Sequence, residues 1–314
     1  MIDVTALGEL LIDFIPYGAA EDGSRLFGRN PGGAPANLLA AVSKYGGKTA
    51  LISKVGTDIF GDFLIGVLRK NGISDDGVVR DEIHNTTLAF VDLDEHGDRS
   101  FSFYRRFGAD IYIKTDEIKT ELIKSSRIFH FGSLSLTDEP AASATDFAVR
   151  TAAESGCVVT FDPNYRAPLW KSEAAAAEKI KKYVPYSDII KVSREEAEMI
   201  AGTDEPESAV SYISAMGPKI VLLTDGANGV FYSANGDTRH LPAIAAKTVD
   251  TTGAGDIFFG VFIASFLKSG KRPEELEAAE TEKCVKRAIK AAGLSTEKKG
   301  AIPSIPDERE VDII

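Results

Sequence analysis

The stretch Val249-Asp250-Thr251-Thr252-Gly253-Ala254-Gly255-Asp256-Ile257-Phe258-Phe259-Gly260 joins a turn of small residues to an apolar helix, which we expect to begin at Asp256. The small residues at 253 to 255 allow the backbone to approach a ligand closely. The first N–H groups of a helix have no partner in the helix and lie at the positive end of its dipole. This combination predicts a site for an anion such as a phosphate group.

Asp256 stands inside this predicted anion site, and two roles are open for its carboxylate. It could cap the helix, which would stabilise the fold by about 1 kcal/mol. It could also act as a general base beside a bound phosphate, which is what phosphoryl transfer to a hydroxyl requires. A capping acid usually precedes its helix, whereas the apolar residues here begin directly after Asp256. The preceding glycines therefore favour a site.

The rest of the chain alternates between short β-branched runs and longer helical patterns. Such alternation predicts a doubly wound α/β fold, with a mostly parallel sheet flanked by helices and ligands at the carboxyl ends of the strands. The predicted strands are Val4–Phe14, Thr49–Val55, Ile128–Gly132, Val158–Asp162, Ile189–Val192 and Ile220–Thr224, followed by a hairpin of Gly229–Ser233 and Thr238–Leu241. The predicted helices are Ala36–Tyr45, Phe60–Asn71, Ala141–Ser155, Ala174–Tyr183, Glu195–Ala201, Asp256–Lys268 and Pro273–Leu294.

A second hairpin pattern interrupts this alternation. Thr86–Leu93 and Ser100–Arg106 alternate between apolar and polar residues and are joined by a turn-forming segment at 94–98. Together with the Gly-rich segment Phe14–Asn30, they predict a small β lid made from about residues 14–30 and 84–112. We expect the lid to be inserted in a single domain of residues 1–314.

The composition limits the classes of partner and location. The chain has 314 residues, of which 44% are hydrophobic and 26% charged, and its formal net charge is −11. A net negative field repels nucleic acid and anionic membranes, so we expect neither as a partner. Cys157 and Cys284 form no metal-binding or disulfide pattern, no signal peptide is visible, and the apolar run at 257–267 is too short to span a bilayer. We therefore expect a cytoplasmic protein.

Other glycine and polar clusters follow predicted strands, and several of them allow two interpretations. Asp13 lies among apolar neighbours and would suit the hydroxyls of a polyol. Arg166 is either a phosphate clamp or part of a surface ion pair. Glu196 either complements a helix dipole or organises a hydrated magnesium ion. The segment Thr224–Gly229 is either a ligand-binding glycine loop or a plain turn.

Two common nucleotide motifs are excluded. The Gly47-Lys48-Thr49 segment lacks the first glycine of a Walker A loop, since Val42 stands at that position. The Gly253-Ala254-Gly255 turn lacks the last glycine of a dinucleotide fingerprint, because Phe258 stands there. A nicotinamide-dependent dehydrogenase is therefore not supported.

Residues Asp250–Asp256 resemble the C-terminal signature of the ribokinase-like (pfkB) carbohydrate kinases. The segment that begins with Gly32-Gly33-Ala34-Pro35-Ala36-Asn37 and runs to Gly61 resembles their N-terminal signature. The resemblance covers nearly the whole chain. It is similar to the fructokinases in particular, through Gly8-Glu9, Asp13, Phe103-Tyr104-Arg105 and Asp162-Pro163-Asn164-Tyr165-Arg166.

The resemblance implies a ribokinase-like α/β fold with a β lid, MgATP as the phosphoryl donor, and specific residue roles. Asp256 would be the base, and the backbone of Gly253, Ala254, Gly255 and Asp256 would stabilise the transferring phosphoryl group. The implied sugar-binding residues are Asp13, Gly32, Gly33, Asn37, Phe103 and Arg105. The implied nucleotide- and phosphate-binding residues are Asn164, Arg166, Lys191, Ser193, Thr224, Gly226 and Gly229. Glu196 would lie near Mg²⁺, through water, and Asp250, Thr252 and Ser304 match a site for a monovalent cation such as K⁺.

The function that we expect is ATP-dependent phosphorylation of fructose at its 6-hydroxyl. The alternatives are a related kinase for 2-keto-3-deoxygluconate, a ribonucleoside or another ketose, and a non-catalytic sugar-binding protein with the same fold. Ser193 stands where the family has Asn in its magnesium motif, and Phe107 stands where fructokinases often have proline. The oligomeric state stays open, although the lid could present an apolar face to a second subunit in a homodimer.

Overall fold

A computed structural model of the chain describes residues 1–93 and 99–312, without the side chains of residues 92–93 and 99–101. The predicted turn at 94–98 lies outside the described residues. The strands are β1 Ile2–Leu7, β2 Leu11–Ala19, β3 Arg25–Gly32, β4 Thr49–Gly56, β5 Ile73–Asp81, β6 Leu88–Leu93, β7 Arg99–Tyr104, β8 Ser126–Gly132, β9 Val158–Asp162, β10 Ile189–Ser193, β11 Ile220–Thr224, β12 Val230–Ala234 and β13 Asp237–Leu241. The α-helices are α1 Ala34–Lys44, α2 Ile59–Lys70, α3 Thr120–Lys124, α4 Ala141–Glu154, α5 Glu173–Tyr183, α6 Arg194–Ala201, α7 Pro206–Ala215, α8 Ala254–Ser269, α9 Ala278–Ser295 and α10 Glu308–Val311.

The larger sheet has, among the described residues, nine strands in the order β13-β12-β11-β10-β9-β8-β1-β4-β5. The strands from β11 to β5 in this order pair in parallel, and only the β12–β13 hairpin at one edge adds antiparallel pairs. Parallel neighbours need long crossovers, and helices supply them. The predicted fold class is confirmed: a doubly wound, mostly parallel sheet flanked by helices.

Both faces of the central strands of this sheet are buried. Along β11, Ile220 and Leu222 join one apolar cluster and Val221 and Leu223 join the other, because successive side chains of a strand point to opposite faces. Helices α1, α2, α8 and α9 cover the first face, and α4 to α7 cover the second. None of the helices that the structure describes has both the length and the hydrophobicity needed to cross a membrane.

Helices α1 and α8 pack closely against each other, and this contact positions the site. A side chain at Gly260 would come within 2.7 Å of the Ala41 Cβ and of the Leu38 carbonyl oxygen of α1. The absence of a side chain at 260 therefore allows the two helices to approach. One turn before Gly260 lies Asp256, and the residue before Leu38 is Asn37, so the same contact brings these two side chains together.

The smaller sheet has the order β3-β2-β6-β7 in the described part of the chain. The β2–β3 and β6–β7 pairs are antiparallel and the β2–β6 pair is parallel. Phe14 and Phe90 stack on one side of it, with ring centroids 4.8 Å apart. The sheet is built from the segments that the sequence predicted for a lid.

Among the predicted elements, three differ most from the structure. Val4–Phe14 is two strands, because the chain leaves the larger sheet after Leu7, and Ile12 N–H then donates at 3.0 Å to Thr87 O, directly before β6 of the smaller sheet. Helix α8 begins at Ala254, since Gly253 supplies its N-terminal cap, so Asp256 lies within the first turn. The predicted helix Pro273–Leu294 begins only at Ala278, after a separate 3-10 turn at Pro273–Glu275.

Candidate active site

The turn before α8 exposes backbone N–H groups at its helix end. Gly253 has φ 74°, a left-handed conformation that favours glycine, and a side chain there would overlap Ala301. Ala254 N–H donates to Thr251 O at 3.2 Å, and Ile257 N–H donates to Gly253 O at 2.8 Å. Among the described residues we find no such partner for the N–H groups of Gly255 and Asp256. These two donors and the helix dipole form the predicted anion site.

Asp256 lies at this turn and is held by Asn37 of α1. Asn37 Nδ2 donates to Asp256 Oδ2 at 2.9 Å. Asn37 is 5% exposed, and its Oδ1 is buried without a hydrogen-bond partner in the part of the chain that the structure describes. A buried acceptor of this kind is costly unless a ligand pairs with it. The hydroxyl of a bound sugar would supply the missing donor.

Burial changes the proton affinity of Asp256. Removal from water raises the pKa of its carboxyl group to about 6, the negative charge of Asp162 adds to this effect, and the Asn37 hydrogen bond, Lys191 and Arg166 oppose it. The carboxylate is therefore ionised at neutral pH and has a higher proton affinity than an ordinary aspartate. This combination suits a general base.

A polar cavity of about 230 Å³ opens beside Asp256. Its size suits a small ligand, since drug-sized ligands occupy pockets of roughly 300–1,000 Å³. Loops of the larger sheet and residues of the smaller sheet both contribute to its wall. The lining residues are Glu9, Leu11, Asp13, Gly33, Ala34, Asn37, Phe103, Leu134, Asn164, Arg166, Thr251, Thr252, Gly253 and Asp256.

The charges around this cavity are mostly negative. Burial raises the pKa of Asp13 to about 6, and the nearby positive charge of Arg166 opposes the shift. Arg166 also lowers the pKa of Asp256 and donates through Nη1 to Tyr165 O at 2.9 Å. It is the one cationic side chain among the described residues that line the cavity. The cavity therefore favours a neutral ligand with many hydroxyl groups.

Glu9 also lines this cavity, and sequence reasoning assigned it no role. Its Oε1 accepts a hydrogen bond of 2.9 Å from Ala34 N–H, at the start of α1. Burial raises the pKa of Glu9 to about 7, while its own N–H group, that of Ala34 and the charge of Arg105 lower it. Glu9 is far in sequence from the helix that it contacts, so no local capping pattern could have revealed it.

A larger and more apolar cavity of about 760 Å³ lies on the other side of the turn before α8. Thr251 lines both cavities, and Ala254 and Gly255 line the larger one. The predicted residues Thr224, Gly226 and Gly229 lie in its wall. The anion site therefore separates a small polar cavity from a large apolar one, an arrangement suited to transferring a charged group between two bound molecules.

A buried ion pair supports the turn from below. Lys191 Nζ lies 2.9 Å from Asp162 Oδ2, and a side chain at Gly255 would come within 3.1 Å of the same Nζ. Asp162 Oδ1 also accepts a hydrogen bond of 3.2 Å from Asn164 N–H. Lys191 and Ser193 were both predicted at the nucleotide site, and both lie at the end of β10. Of the two, only Lys191 reaches the anion turn.

Glu196 fastens two strand ends together. Its Oε1 accepts from Tyr165 N–H at 2.6 Å and its Oε2 accepts from Ser193 N–H at 2.7 Å. Ser193 Oγ accepts from Glu196 N–H at 3.2 Å, which completes a capping box at the start of α6. Serine therefore replaces asparagine here without loss of the helix cap, since both residues serve well at that position.

Comparisons with known proteins give the family of this chain. The family model described as pfkB family carbohydrate kinase matches residues 1–308. The chain belongs to this family. It is 40% identical over 306 residues to probable fructokinase-5 of Arabidopsis thaliana, covering 96% of this chain and 94% of that one. A fructokinase structure from Xylella fastidiosa with bound ATP is 30% identical, with a TM-score of 0.86 and coverage of 99% and 97%. A fructokinase double mutant from Vibrio cholerae, with fructose, ADP and a potassium ion bound, is 29% identical, with a TM-score of 0.88 and the same coverage.

The predicted cation-site residues of this pfkB family kinase lie on two adjoining loops. Asp250 Oδ1 accepts from Thr252 N–H at 2.7 Å, and its Oδ2 accepts from Gly300 N–H at 2.9 Å. Ser304 is buried near the same loop and donates to Ala301 O at 2.7 Å. The oxygen donors suit a hard cation such as K⁺. The described residues hold no cluster of three or more His, Cys, Asp or Glu side chains that could bind a metal ion.

Arg105 has partners that the sequence did not reveal in this kinase. It was predicted to reach the sugar from the lid, yet it is buried and does not appear among the described residues that line the polar cavity. Its guanidinium donates to Asp110, Thr137 and Leu134 instead. Phe103 lines the cavity as predicted, and Gly32 packs against the Asp13 carboxylate.

The apolar wall of the larger cavity was missed by sequence reasoning. It combines a loop after β13 with one face of α9. Val249 and Asp250 connect that loop to the end of α9 by donating their N–H groups to Thr296 O at 2.7 and 3.0 Å. Small and apolar residues some fifty positions apart carry no motif that indicates a shared ligand. The missed wall residues are Ala243, Ile244, Ala245, Ala246, Phe258, Ile289, Ala292 and Gly293.

Proposed function

We propose that this pfkB family kinase transfers the γ-phosphoryl group of ATP to the 6-hydroxyl of fructose. The observation that carries the proposal is the position of Asp256 at the anion turn that separates the polar cavity from the apolar one. A base in this place faces both the hydroxyl that attacks and the phosphate that is transferred. The fructokinase names and ligands of the similar proteins support the choice of fructose and ATP.

The sugar occupies the polar cavity. Asp13 accepts hydrogen bonds from its hydroxyls, and Asn37 Oδ1 gains the donor that it lacks among the described residues. Gly32 and Gly33 allow the sugar to approach the backbone, while Phe103 covers it from the lid. Arg105 supports that lid wall from behind. Closing the cavity with the lid excludes water, which would otherwise compete as an acceptor of the phosphoryl group.

The transfer step uses Asp256 and the turn before α8. The 6-hydroxyl oxygen attacks the γ-phosphorus of ATP, its proton passes to Asp256 Oδ, and the bond to the β-phosphate oxygen breaks to release ADP. The N–H groups of Gly255 and Asp256, with those of Gly253 and Ala254 as the turn adjusts, donate to the transferring oxygens. Arg166 and Lys191 add positive charge on either side, and Asn164 lies beside the same cavity.

The nucleotide occupies the apolar cavity, with its base between the loop after β13 and α9. Thr224, Gly226 and Gly229 line the end nearest the sheet. Mg²⁺ would shield the phosphate charges, with Glu196 holding its bound water, because the two carboxylate oxygens retain acceptor capacity after binding one N–H each. Asp250, Thr252 and Ser304 would hold K⁺ and fix the loop that carries the anion turn.

The negative charge and the small size of the polar cavity favour fructose over the alternative substrates. Asp13 and Asp256 would repel the carboxylate of 2-keto-3-deoxygluconate, and about 230 Å³ leaves little room for a ribonucleoside. We expect the highest kcat/KM with fructose in an ADP-release assay over a panel of ketoses, ribose, this sugar acid and a ribonucleoside. Phosphorus NMR of the product should place the phosphate on C6. A higher kcat/KM with the sugar acid or the nucleoside would contradict the proposal.

We further propose that the protein is cytoplasmic, because ATP is available there and the two buried cysteines stay reduced.

We also propose that the protein forms a homodimer through the lid. The lid carries exposed Tyr17, Leu26, Phe27 and Tyr104, a set of large apolar side chains that a second subunit would cover. Light scattering should give twice the 33.7 kDa chain mass. Tyr17→Asp should give the monomer, whereas Tyr212→Asp, at an exposed tyrosine on α7, should not. A monomeric wild-type protein at micromolar concentration would contradict this.

A further inference from the structure

The carboxylate of Asp110 closes the base of the β6–β7 hairpin. Asp110 is 4% exposed and lies in a short 3-10 turn, Ala109–Tyr112, which follows the hairpin. Its Oδ1 accepts a short hydrogen bond from Thr87 Oγ1, directly before β6. Its Oδ2 accepts from Arg105 Nε at 2.7 Å, directly after β7. One buried side chain therefore joins the residue where the chain enters the hairpin to the residue where it leaves.

The same cluster is anchored to the main domain next to the polar cavity. Arg105 Nη2 donates to Leu134 O at 3.0 Å, and Leu134 lines that cavity. Arg105 Nη1 donates to Thr137 Oγ1 at 2.9 Å. Thr87 O accepts from Ile12 N–H at 3.0 Å, which fixes β2 one residue before Asp13. The cluster thus contacts three elements that shape the sugar site: the turn that contains Leu134, strand β2 and the β6–β7 hairpin.

The backbone between Arg105 and Asp110 is held by hydrogen bonds, and Gly108 has no space for a side chain. Gly108 N–H donates to Arg105 O, and Ala109 N–H donates to Asn85 O, both at 2.8 Å. A side chain at Gly108 would overlap the Thr87 hydroxyl and would come within 2.9 Å of Asp110 Oδ1. The turn therefore brings the carboxylate against both of its partners, and it can do so only with glycine at 108.

We propose that Asp110 is a positioning residue for sugar binding, which acts by holding the hairpin base so that Phe103 and Asp13 stay at the polar cavity. Phe103 lies two residues before Arg105, and Asp13 lies one residue after Ile12, so both are tied to the cluster through short stretches of backbone. The inference rests on the proposed function for the identity of the sugar. It also assigns Arg105 to lid anchoring, since three of its donor groups are bound to protein.

The test is steady-state kinetics of the Asp110→Asn variant, which keeps the shape of the side chain but loses its charge. We expect the KM for fructose to rise between about 10-fold and 100-fold, because small misplacements of binding groups have effects of this size. The KM for ATP and the value of kcat should change by less than about threefold, since the hydrogen bonds of Asp110 and Arg105 described above reach neither Asp256 nor a residue that lines the nucleotide cavity. A merely structural role would lower the amount of folded enzyme without changing the fructose KM.

Asp146 offers a matched control. Its Oδ1 accepts from Tyr183 Oη at 2.8 Å and its Oδ2 accepts from Arg150 Nε at 2.7 Å, so it also joins a hydroxyl to an arginine. Asp146 lies on α4 and lines neither cavity. Asp146→Asn should leave the fructose KM unchanged. If Asp110→Asn fails to fold, Thr87→Val removes only one of the two hydrogen bonds and should raise the fructose KM in the same direction.

Hydrogen exchange without any sugar separates this inference from the proposed function. Backbone amides of Leu88–Val91 and Ser102–Tyr104 should exchange faster in Asp110→Asn than in the wild type or in Asp146→Asn. Wild-type protein that fails to turn over fructose would refute the proposed function, while the exchange comparison would still decide whether Asp110 holds the hairpin. An unchanged fructose KM in a folded Asp110→Asn variant, or unchanged exchange in the hairpin, would overturn the inference.

Discussion

At the scale of single residues, buried carboxylates determine how the site responds to protons. Asp256 and Asp13 both have a pKa raised to about 6 by burial, and each lies close enough to Arg166 for that charge to oppose the shift. Above this pKa, Asp256 can accept a proton and Asp13 can accept hydrogen bonds from hydroxyl groups. Below it, both groups are neutral and each loses the form that the proposed reaction needs.

We therefore predict that kcat/KM for fructose falls as the pH drops below about 6, rather than near the ordinary aspartate pKa of about 4. Because the proposed reaction needs the ionised form of both Asp13 and Asp256, the fall should be steeper than the protonation of one group would give. Rates measured from about pH 5 to about pH 8, with the folded fraction checked at each pH, would test this. A flat profile down to about pH 5 would contradict the assigned pKa values.

Residue identities in the site were predictable where a local pattern carried them. Asp256, Asn37 and Asp13 stand in recognisable sequence contexts, and the structure brings all three to one cavity. Glu9 and Asp110 were not predictable, because their partners come from other parts of the chain. Arg105 was expected to bind sugar, and its partners in the structure depend on how the residues after β7 pack against Leu134 and Thr137.

At the scale of secondary-structure elements, the packing of α1 against α8 determines whether Asn37 reaches Asp256. The sequence predicted both helices from their apolar patterns, but it could not predict that Gly260 lets them meet. It also missed β5, whose residues 73–77 read Ile-Ser-Asp-Asp-Gly and are too polar to indicate a strand. The pairing of β5 with β4 in the folded sheet overrides this weak local signal.

We predict that Gly260→Ala destabilises the protein by about 1–3 kcal/mol, because its methyl group would collide with the backbone of α1. The same displacement should lengthen the Asn37–Asp256 hydrogen bond and lower kcat. Gly66 of α2 provides the control, since a side chain there meets no atom within 4 Å. Gly66→Ala should stabilise the protein by about 0.5–1 kcal/mol without changing kcat. Urea unfolding and kinetics of the two variants measure both effects, and equal stability changes would contradict the packing argument.

At the scale of the whole molecule, the fold places two unlike cavities on either side of one helix end. The net charge of −11 does not determine the electric field at the site, because backbone N–H groups, Arg166 and Lys191 supply positive charge locally. The polar cavity was largely predictable from the two glycine-containing motifs. The apolar cavity was not, because it forms only when the loop after β13 meets α9.

The most direct test of the account is the turnover of fructose by an Asp256→Asn variant, measured together with its affinity for ATP. Asparagine cannot accept the proton but keeps the shape of the anion turn, so we predict that kcat falls by about 10²–10⁴-fold while ATP affinity stays nearly unchanged. Burial of the Asp256 charge opposes folding at pH values above its raised pKa of about 6. The variant should therefore also unfold at a higher temperature than the wild type above pH 6, and this difference in unfolding temperature should fade as the pH falls below 6. Turnover within about threefold of the wild type would contradict the central claim that Asp256 is the base.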